Sequence, residues 1–254
     1  MRYASRPQRH SCNGGAFSAW CCIFVPMTTY LVFVVPACWD EWHPSYVLAS
    51  MALFLAVVSL LAATSCSDPG VIPSRSQILE EGISAELSDA FGYSVMGVGE
   101  PTGNDSDAVG MVPEGRRLAG YKWCRTCQIV RPPRASHCKF CNHCVLRFDH
   151  HCPFVNNCIG QRNYHFFVAF VLSATCLAFV VLVPLFWFGT MGTGDMGMGA
   201  TSGTASLVVI TIAAAVGIPS LALLALLSYH LFLVLTMQTT REHLRPNASH
   251  NQVK

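Results

Sequence analysis

Four long stretches without a charged side chain constrain this chain more than any other feature. Ala16–Cys38, Tyr46–Cys66, Phe166–Phe188 and Ala205–Met237 contain no Asp, Glu, Lys or Arg. Each is long enough for a helix to cross bilayer hydrocarbon, which takes about 20 apolar residues. Only 12% of the 254 residues are charged, against about a quarter in soluble domains, so a soluble fold would lack a polar exterior. The pattern predicts four transmembrane helices. Arg2, Arg6 and Arg9 precede the first stretch, but it is longer than the apolar region of a signal peptide and carries no clear small-residue cleavage site. Pro26, Pro184 and Pro219 fall inside spans, where neighbouring helices satisfy the carbonyls that proline frees.

Charge predicts the orientation. The connection between the first two spans holds Asp40 and Glu41, that between the last two holds Asp195, and neither holds Lys or Arg. All 16 basic residues lie in the N-terminal segment, the central segment or the C-terminal tail. The positive-inside rule therefore places both termini and the central segment in the cytoplasm.

The central segment divides by composition. Residues 76–114 carry eight acids and no Lys or Arg. With the Gly-, Ser- and Asp-rich run from Gly97 to Gly110, this half reads as a flexible acidic insertion without function. Ile78–Phe91 fits one short amphipathic helix. From Arg116 to Arg162 nine Lys or Arg residues face a single acid, Asp149. A basic surface of this kind suits anionic headgroups or a polyphosphate. A nucleic-acid partner is not expected between membrane spans.

Seven of the 13 cysteines lie between positions 124 and 158. On the reducing side of a membrane such cysteines bind metal or do chemistry rather than form disulfides. Cys124 and Cys127 form one Cys-x2-Cys pair, Cys138 and Cys141 a second, with Cys144, Cys152, Cys158 and histidines 137, 143, 150 and 151 nearby. Such pairs bring two thiolates onto one tetrahedral zinc. Two closed sites need eight ligands, so six cysteines and two histidines would leave one thiol over. Cys152 is the leading candidate for that thiol, because Asp149, His150 and His151 immediately precede it. A carboxylate orienting an imidazole that takes the thiol proton would activate it. On spacing alone, His150 and Cys152 could equally be two further zinc ligands.

Asp149-His150-His151-Cys152 in this cysteine frame resembles the DHHC family of protein palmitoyltransferases. The likeness continues through Pro153-Phe154-Val155-Asn156-Asn157-Cys158-Ile159-Gly160, Asn163 and Phe167. Asp68-Pro69-Gly70 after the second span resembles the family's DPG motif, and Thr239-Thr240-Arg241-Glu242 after the fourth its TTxE motif. The resemblance implies Cys152 as the acylated nucleophile, His150 as its general base and Asp149 as the residue orienting that base. It implies two structural Zn2+ ions, one on Cys124, Cys127, His137 and Cys144, the other on Cys138, Cys141, His151 and Cys158. His143 would lie outside both, at the surface. Phe154 stands where the family usually has Trp, and the tail, with Asn247, lacks the aromatic of a further C-terminal motif.

The expectation is an all-α polytopic membrane protein, with a cytosolic zinc-binding cysteine-rich domain between helices 2 and 3 of four. Its segments are a cytosolic N-terminus (1–15), a transmembrane hairpin (16–66), the acidic insertion beginning with the DPG motif (67–115), the cysteine-rich domain (116–165), a second transmembrane hairpin (166–237) and a cytosolic tail (238–254). The resemblance implies transfer of a long-chain fatty acyl group, palmitoyl, from acyl-CoA as co-substrate to cysteines of cytosolic or membrane-associated proteins. Arg131, Arg134 and Lys139 are candidate partners for CoA phosphates. The membrane would be Golgi, endoplasmic reticulum, another endomembrane or the plasma membrane. The competing class is a membrane-tethered zinc-binding interaction module, such as a RING-like adaptor, without acyl transfer.

Overall fold

The computed structural model describes residues 24, 27, 28, 30–34, 44–97, 111–191 and 202–245. Among these described residues, three helices are long and apolar enough to cross a membrane: α1 (Pro44–Cys66), α5 (Tyr164–Met191) over Tyr164–Pro184, and α6 (Ser202–Leu235) over Val216–Leu235. The first expected span lies mostly outside the described residues. Within it a π-helical turn covers Tyr30–Val34. Met27 and Tyr30 are buried against Val57, Ala174, Leu177 and Val181. Buried hydroxyls in the long helices are satisfied locally: Ser50, Thr64, Thr175 and Ser220 each donate to a carbonyl three or four residues earlier, the usual solution where no water competes. His230 is 2% exposed and meets Phe167 edge-on, with centroids 4.9 Å apart.

The second compact unit gathers the described residues between 66 and 164 with those from Leu235 onward. Here the all-α expectation gives way to short strands. Three hairpins follow in chain order: β2 (Lys122–Cys124) with β3 (Ile129–Arg131), β4 (Ser136–Cys138) with β5 (His143–Val145), and β6 (His150–Cys152) with β7 (Asn157–Ile159). The two-residue β1 (Val71–Ile72) adds to the outer side of β5, pairing Val71 with Val145 and Ile72 with Cys144. Strands of three residues bury too little apolar surface to stand alone, so the packing around them must come from elsewhere.

Part of it comes from the stretch expected to be a flexible insertion, which is folded over residues 71–97 and from 111 onward, where α4 covers Glu114–Leu118. The single helix expected over Ile78–Phe91 is two, α2 (Arg75–Glu81) and α3 (Ser84–Phe91), broken at Gly82 in the left-handed region (φ 67°). Ser74 caps α2 in a reciprocal capping box with Gln77. Ile78, Leu87, Tyr93, Val95 and Val112 form one core with Ile129, Val130 and cysteines 124, 127 and 144. Val130 N–H donates to Val95 O at 2.7 Å, and Arg75 N–H to Cys127 O at 2.9 Å. Acidic composition hid this because Glu80, Glu81, Glu86 and Asp89 are all exposed, while Ile78 and Leu87 are buried.

The DPG motif braces the same unit. Asp68 Oδ1 accepts from the N–H of Gly70 and of Val71, both at 2.8 Å, and Oδ2 pairs with Arg162. Gly160 lies where a Cβ would fall 2.5 Å from Val145 Cγ1 and 2.6 Å from Pro69 O. Gly160→Ala therefore forces backbone apart and is expected to cost about 1–3 kcal/mol, read as a lowered unfolding midpoint of the metal-loaded protein.

Candidate active site

Each hairpin turn is a knuckle. Cys124 ends β2, with Cys127 and left-handed Gln128 (φ 51°) in the turn; Cys138 ends β4, with Cys141 and left-handed Asn142 (φ 53°). Each knuckle is completed by a cross-strand pair from the following hairpin. His137 faces Cys144 across β4 and β5, and His151 faces Cys158 across β6 and β7. The donor atoms of Cys124, Cys127, His137 and Cys144 all lie within 4.8 Å of one another, as do those of Cys138, Cys141, His151 and Cys158.

Both groups have donor chemistry suited to a metal ion. His137 Nδ1 points to Cys127 and Cys144 Sγ at 3.4 and 3.9 Å, and His151 Nδ1 to Cys141 and Cys158 Sγ at 3.3 and 3.8 Å. Three thiols and one imidazole converge in each, largely buried. Without a cation they cannot all ionise: hydrogen bonds with the neighbouring thiols, then burial, push Cys144 and Cys158 far up. His143, expected at the surface, is 5% exposed, in β5 opposite Cys138. Position along the strand, not polarity, decides its burial.

The third hairpin repeats the knuckle without completing it. Cysteines 124, 138 and 152 recur every 14 residues, as do left-handed residues 128, 142 and 156 (φ of Asn156, 49°). The second knuckle cysteine is replaced by Val155, and among the described residues no fourth hairpin follows to supply a His and Cys pair. Three hairpins in series thus make two donor groups and leave Cys152 over. This repeat was readable in the sequence and would have selected Cys152 without reference to its neighbours. The knuckle amides persist: the N–H groups of Val155 and Phe154 donate to Cys152, as those of Cys141 and Phe140 do to Cys138. Phe154 at the tip is 61% exposed.

Cys152 is 7% exposed and hydrogen-bonds His150. His150 Nδ1 meets Asp149 Oδ2 at 2.6 Å, with the Asp149 side chain 1% exposed. Burial disfavours the His150 cation, but hydrogen bonds to Asp149 and Cys152 and their charges outweigh it and raise its pKa to about 9. Burial likewise works against the Cys152 thiolate, and the His150 hydrogen bond with the Val155 and Phe154 amides overcomes it, so the thiol is lowered. Asp149 is also lowered, the His150 and Thr240 hydrogen bonds outweighing burial.

Thr240 was not expected here. Its N–H donates to Asp149 Oδ1 at 2.8 Å and its Oγ1 to Oδ2 at 2.7 Å. The TTxE motif is physically a capping box on α7 (Thr240–Leu244): Thr239 accepts from Glu242 N–H, and Glu242 reaches back to Thr239 N–H. Glu242 also receives Arg134 in a two-pronged pair, at 2.6 and 2.7 Å. A Thr-x-x-Glu run at a helix start could have predicted the cap, but the contact with Asp149 spans 91 residues of sequence and left no local signal. Asn157 and Asn163 complete the frame, donating to the carbonyls of Ser67 and Cys158, both at 2.8 Å.

Membrane-crossing helices, two metal-competent donor groups and a third knuckle holding an acid–imidazole–thiol series define an integral-membrane protein with a cysteine-rich unit in which one thiol stays outside both donor groups. Residues 118–247 match the family described as DHHC palmitoyltransferase. The chain is 32% identical to Palmitoyltransferase ERF2 of Kluyveromyces lactis over 234 residues, covering 90% of this chain and 59% of that protein. It is 34% identical to Protein S-acyltransferase 8 of Arabidopsis thaliana over 242 residues (91% and 57%), and 33% identical to Palmitoyltransferase ZDHHC9 of Danio rerio over 223 residues (85% and 54%). This chain belongs to the DHHC palmitoyltransferase family. It spans a little over half the length of these curated relatives.

Proposed function

We propose that this chain is a protein S-acyltransferase that carries a long-chain acyl group, palmitoyl by the names of its relatives, as a thioester on Cys152. The observation that carries the reading is the unfinished third knuckle, which leaves Cys152 outside both donor groups and against His150. It also weighs against a pure zinc-binding interaction module, which has no use for a spare thiol held in this way.

In the proposed reaction the Cys152 thiolate attacks the carbonyl carbon of an acyl-CoA thioester. A new C–S bond forms, the bond to CoA sulfur breaks, and the departing thiolate takes the proton held on His150. The neutral imidazole then accepts the proton of a substrate cysteine, whose sulfur attacks the acyl-enzyme. Cys152 leaves as thiolate, again beside protonated His150. Asp149, held by Thr240, keeps the imidazole turned toward the sulfur. One thioester replaces another, so neither step is steeply uphill.

Cys124, Cys127, His137 and Cys144 would hold one Zn2+, and Cys138, Cys141, His151 and Cys158 the second. Bound zinc supplies cross-links between consecutive hairpins and no acid–base chemistry. The positive-inside pattern supports placing the cysteine-rich unit and both termini in the cytosol of an endomembrane or the plasma membrane, where acyl-CoA and substrate cysteines are available.

The test incubates purified protein with a palmitoyl-CoA analogue and reads hydroxylamine-labile acyl label. No label on folded, metal-loaded protein would overturn the reading. Asp149→Asn is expected to slow label formation about 10²–10⁴-fold with metal content unchanged. A loss of metal in that variant would mean that Asp149 acts on folding instead.

A further inference from the structure

Building on the zinc and Cys152 roles proposed above, we infer that Phe140 braces the imidazole of His151. It thereby sets how long the second donor group keeps its metal, and how long the hairpin carrying Cys152 keeps its shape. Phe140 sits at the tip of the second knuckle, between Cys138 and Cys141, and is 83% exposed. Apolar stabilisation scales with the area removed from water, so a ring this exposed contributes little to a core. Its ring nevertheless stacks on that of His151, with centroids 4.9 Å apart and planes 23° from parallel. The contact joins the turn between β4 and β5 to the next hairpin, at β6.

The two donor groups differ in what backs them. Cys124, Cys127 and Cys144 are buried in one core with Ile78, Leu87 and Val95. Cys138 and Cys158 share a smaller cluster with Val145 and Phe148. In the first group His137 alone is half-buried, whereas in the second both Cys141 and His151 are. The tip of the first knuckle carries Arg125 and Thr126, neither of them aromatic. The second group is thus the more open to water and should release its metal first. The stack opposes that release, because the imidazole must swing away from the metal before a chelator can take its place. Groups that orient a ligand in this way strengthen metal retention. Held by Phe140, His151 Nδ1 stays aimed at Cys141 and Cys158 Sγ, at 3.3 and 3.8 Å.

Successive side chains of a strand point to opposite faces. His151 therefore lies across β6 from His150 and Cys152, and Phe140 acts on the metal side of the hairpin, not on the thiol. Metal loss from the second group releases the His151–Cys158 pair that bridges β6 and β7. Cys152 then loses its position against His150, while the first group and its larger core stay folded.

The experiment mixes purified full-length protein, loaded with zinc in detergent, with the chromogenic chelator pyridylazoresorcinol and follows metal release. Wild type should release metal in two phases. Maleimide labelling after the first phase should mark Cys138, Cys141 and Cys158 and spare Cys124, Cys127 and Cys144. A well-placed aromatic pair is worth about twofold to tenfold in an equilibrium. Phe140→Leu should quicken the first phase by that factor and leave the second unchanged. Phe140→Tyr keeps the ring and should match wild type. Fully loaded, both variants should take acyl label as wild type does, and the capacity for label should vanish with the first phase. Equal rates in wild type and Phe140→Leu, equal acceleration of both phases, or a Phe140→Tyr as fast as Phe140→Leu overturns the brace. First release from Cys124, Cys127 and Cys144 overturns the order, and label that outlasts the first phase overturns the link to Cys152. A wild type that never takes label, yet shows both phases and the Phe140→Leu effect, overturns acyl transfer and supports the brace.

Discussion

Cys152→Ser is expected to carry less than about one thousandth of the wild-type acyl label while retaining its full complement of metal. The hydroxyl that replaces the thiol is far less acidic, so neither His150 nor the knuckle amides of Phe154 and Val155 can hold it as an anion at neutral pH. An ester, were one formed, would also resist hydroxylamine under conditions that cleave a thioester. Folding should survive, because Cys152 belongs to neither donor group and serine is nearly the same size in a site that is 7% exposed. Metal content measured on the same sample distinguishes a missing nucleophile from a missing fold. Loss of one metal ion from Cys152→Ser would make Cys152 a ligand and end its assignment as nucleophile.

Cys124→Ser should do the reverse, releasing metal and unfolding the cysteine-rich unit. Apparent binding energies at structural zinc sites are about 10–16 kcal/mol at neutral pH, whereas whole domains are stable by about 5–15 kcal/mol. Removing one ligand therefore puts a large part of the unit's stability at risk. Cys124 is 5% exposed within the core shared by Ile78, Leu87, Val95 and Val130, so the loss should spread into α2 and α3. Protease cleavage within residues 75–97 of the variant, absent from wild type, would be the readout. Intact protection with one metal ion missing would show that apolar packing alone maintains this region.

The contrast between these two cysteines could be only half read from the sequence. Counting ligands identified one thiol in excess, and Asp149 and His150 pointed to Cys152, but zinc ligation of His150 remained open. The 14-residue recurrence of the knuckles, with Val155 breaking the third, matches where the two donor groups form, on His137 and His151 and without His150. The insertion was misjudged for a different reason. Its acids define its composition, yet Ile78, Leu87, Tyr93 and Val95 define its packing, and four apolar residues spread over 18 positions give too weak a period to stand out. His143 was misplaced because a three-residue strand has no alternation long enough to show which side faces inward.

By itself the sequence determined three of the four expected spans, those carried by α1, α5 and α6, since a run of some 20 apolar residues is what a helix needs to cross bilayer hydrocarbon. It determined the ligand types as well, because a Cys-x2-Cys turn is a local geometry. Only the tertiary structure decided that Thr240 holds Asp149 and that Arg134 holds Glu242. These contacts join positions up to 108 residues apart, and a side chain's neighbours at that separation are set by how the hairpins and α7 pack, which no local pattern encodes.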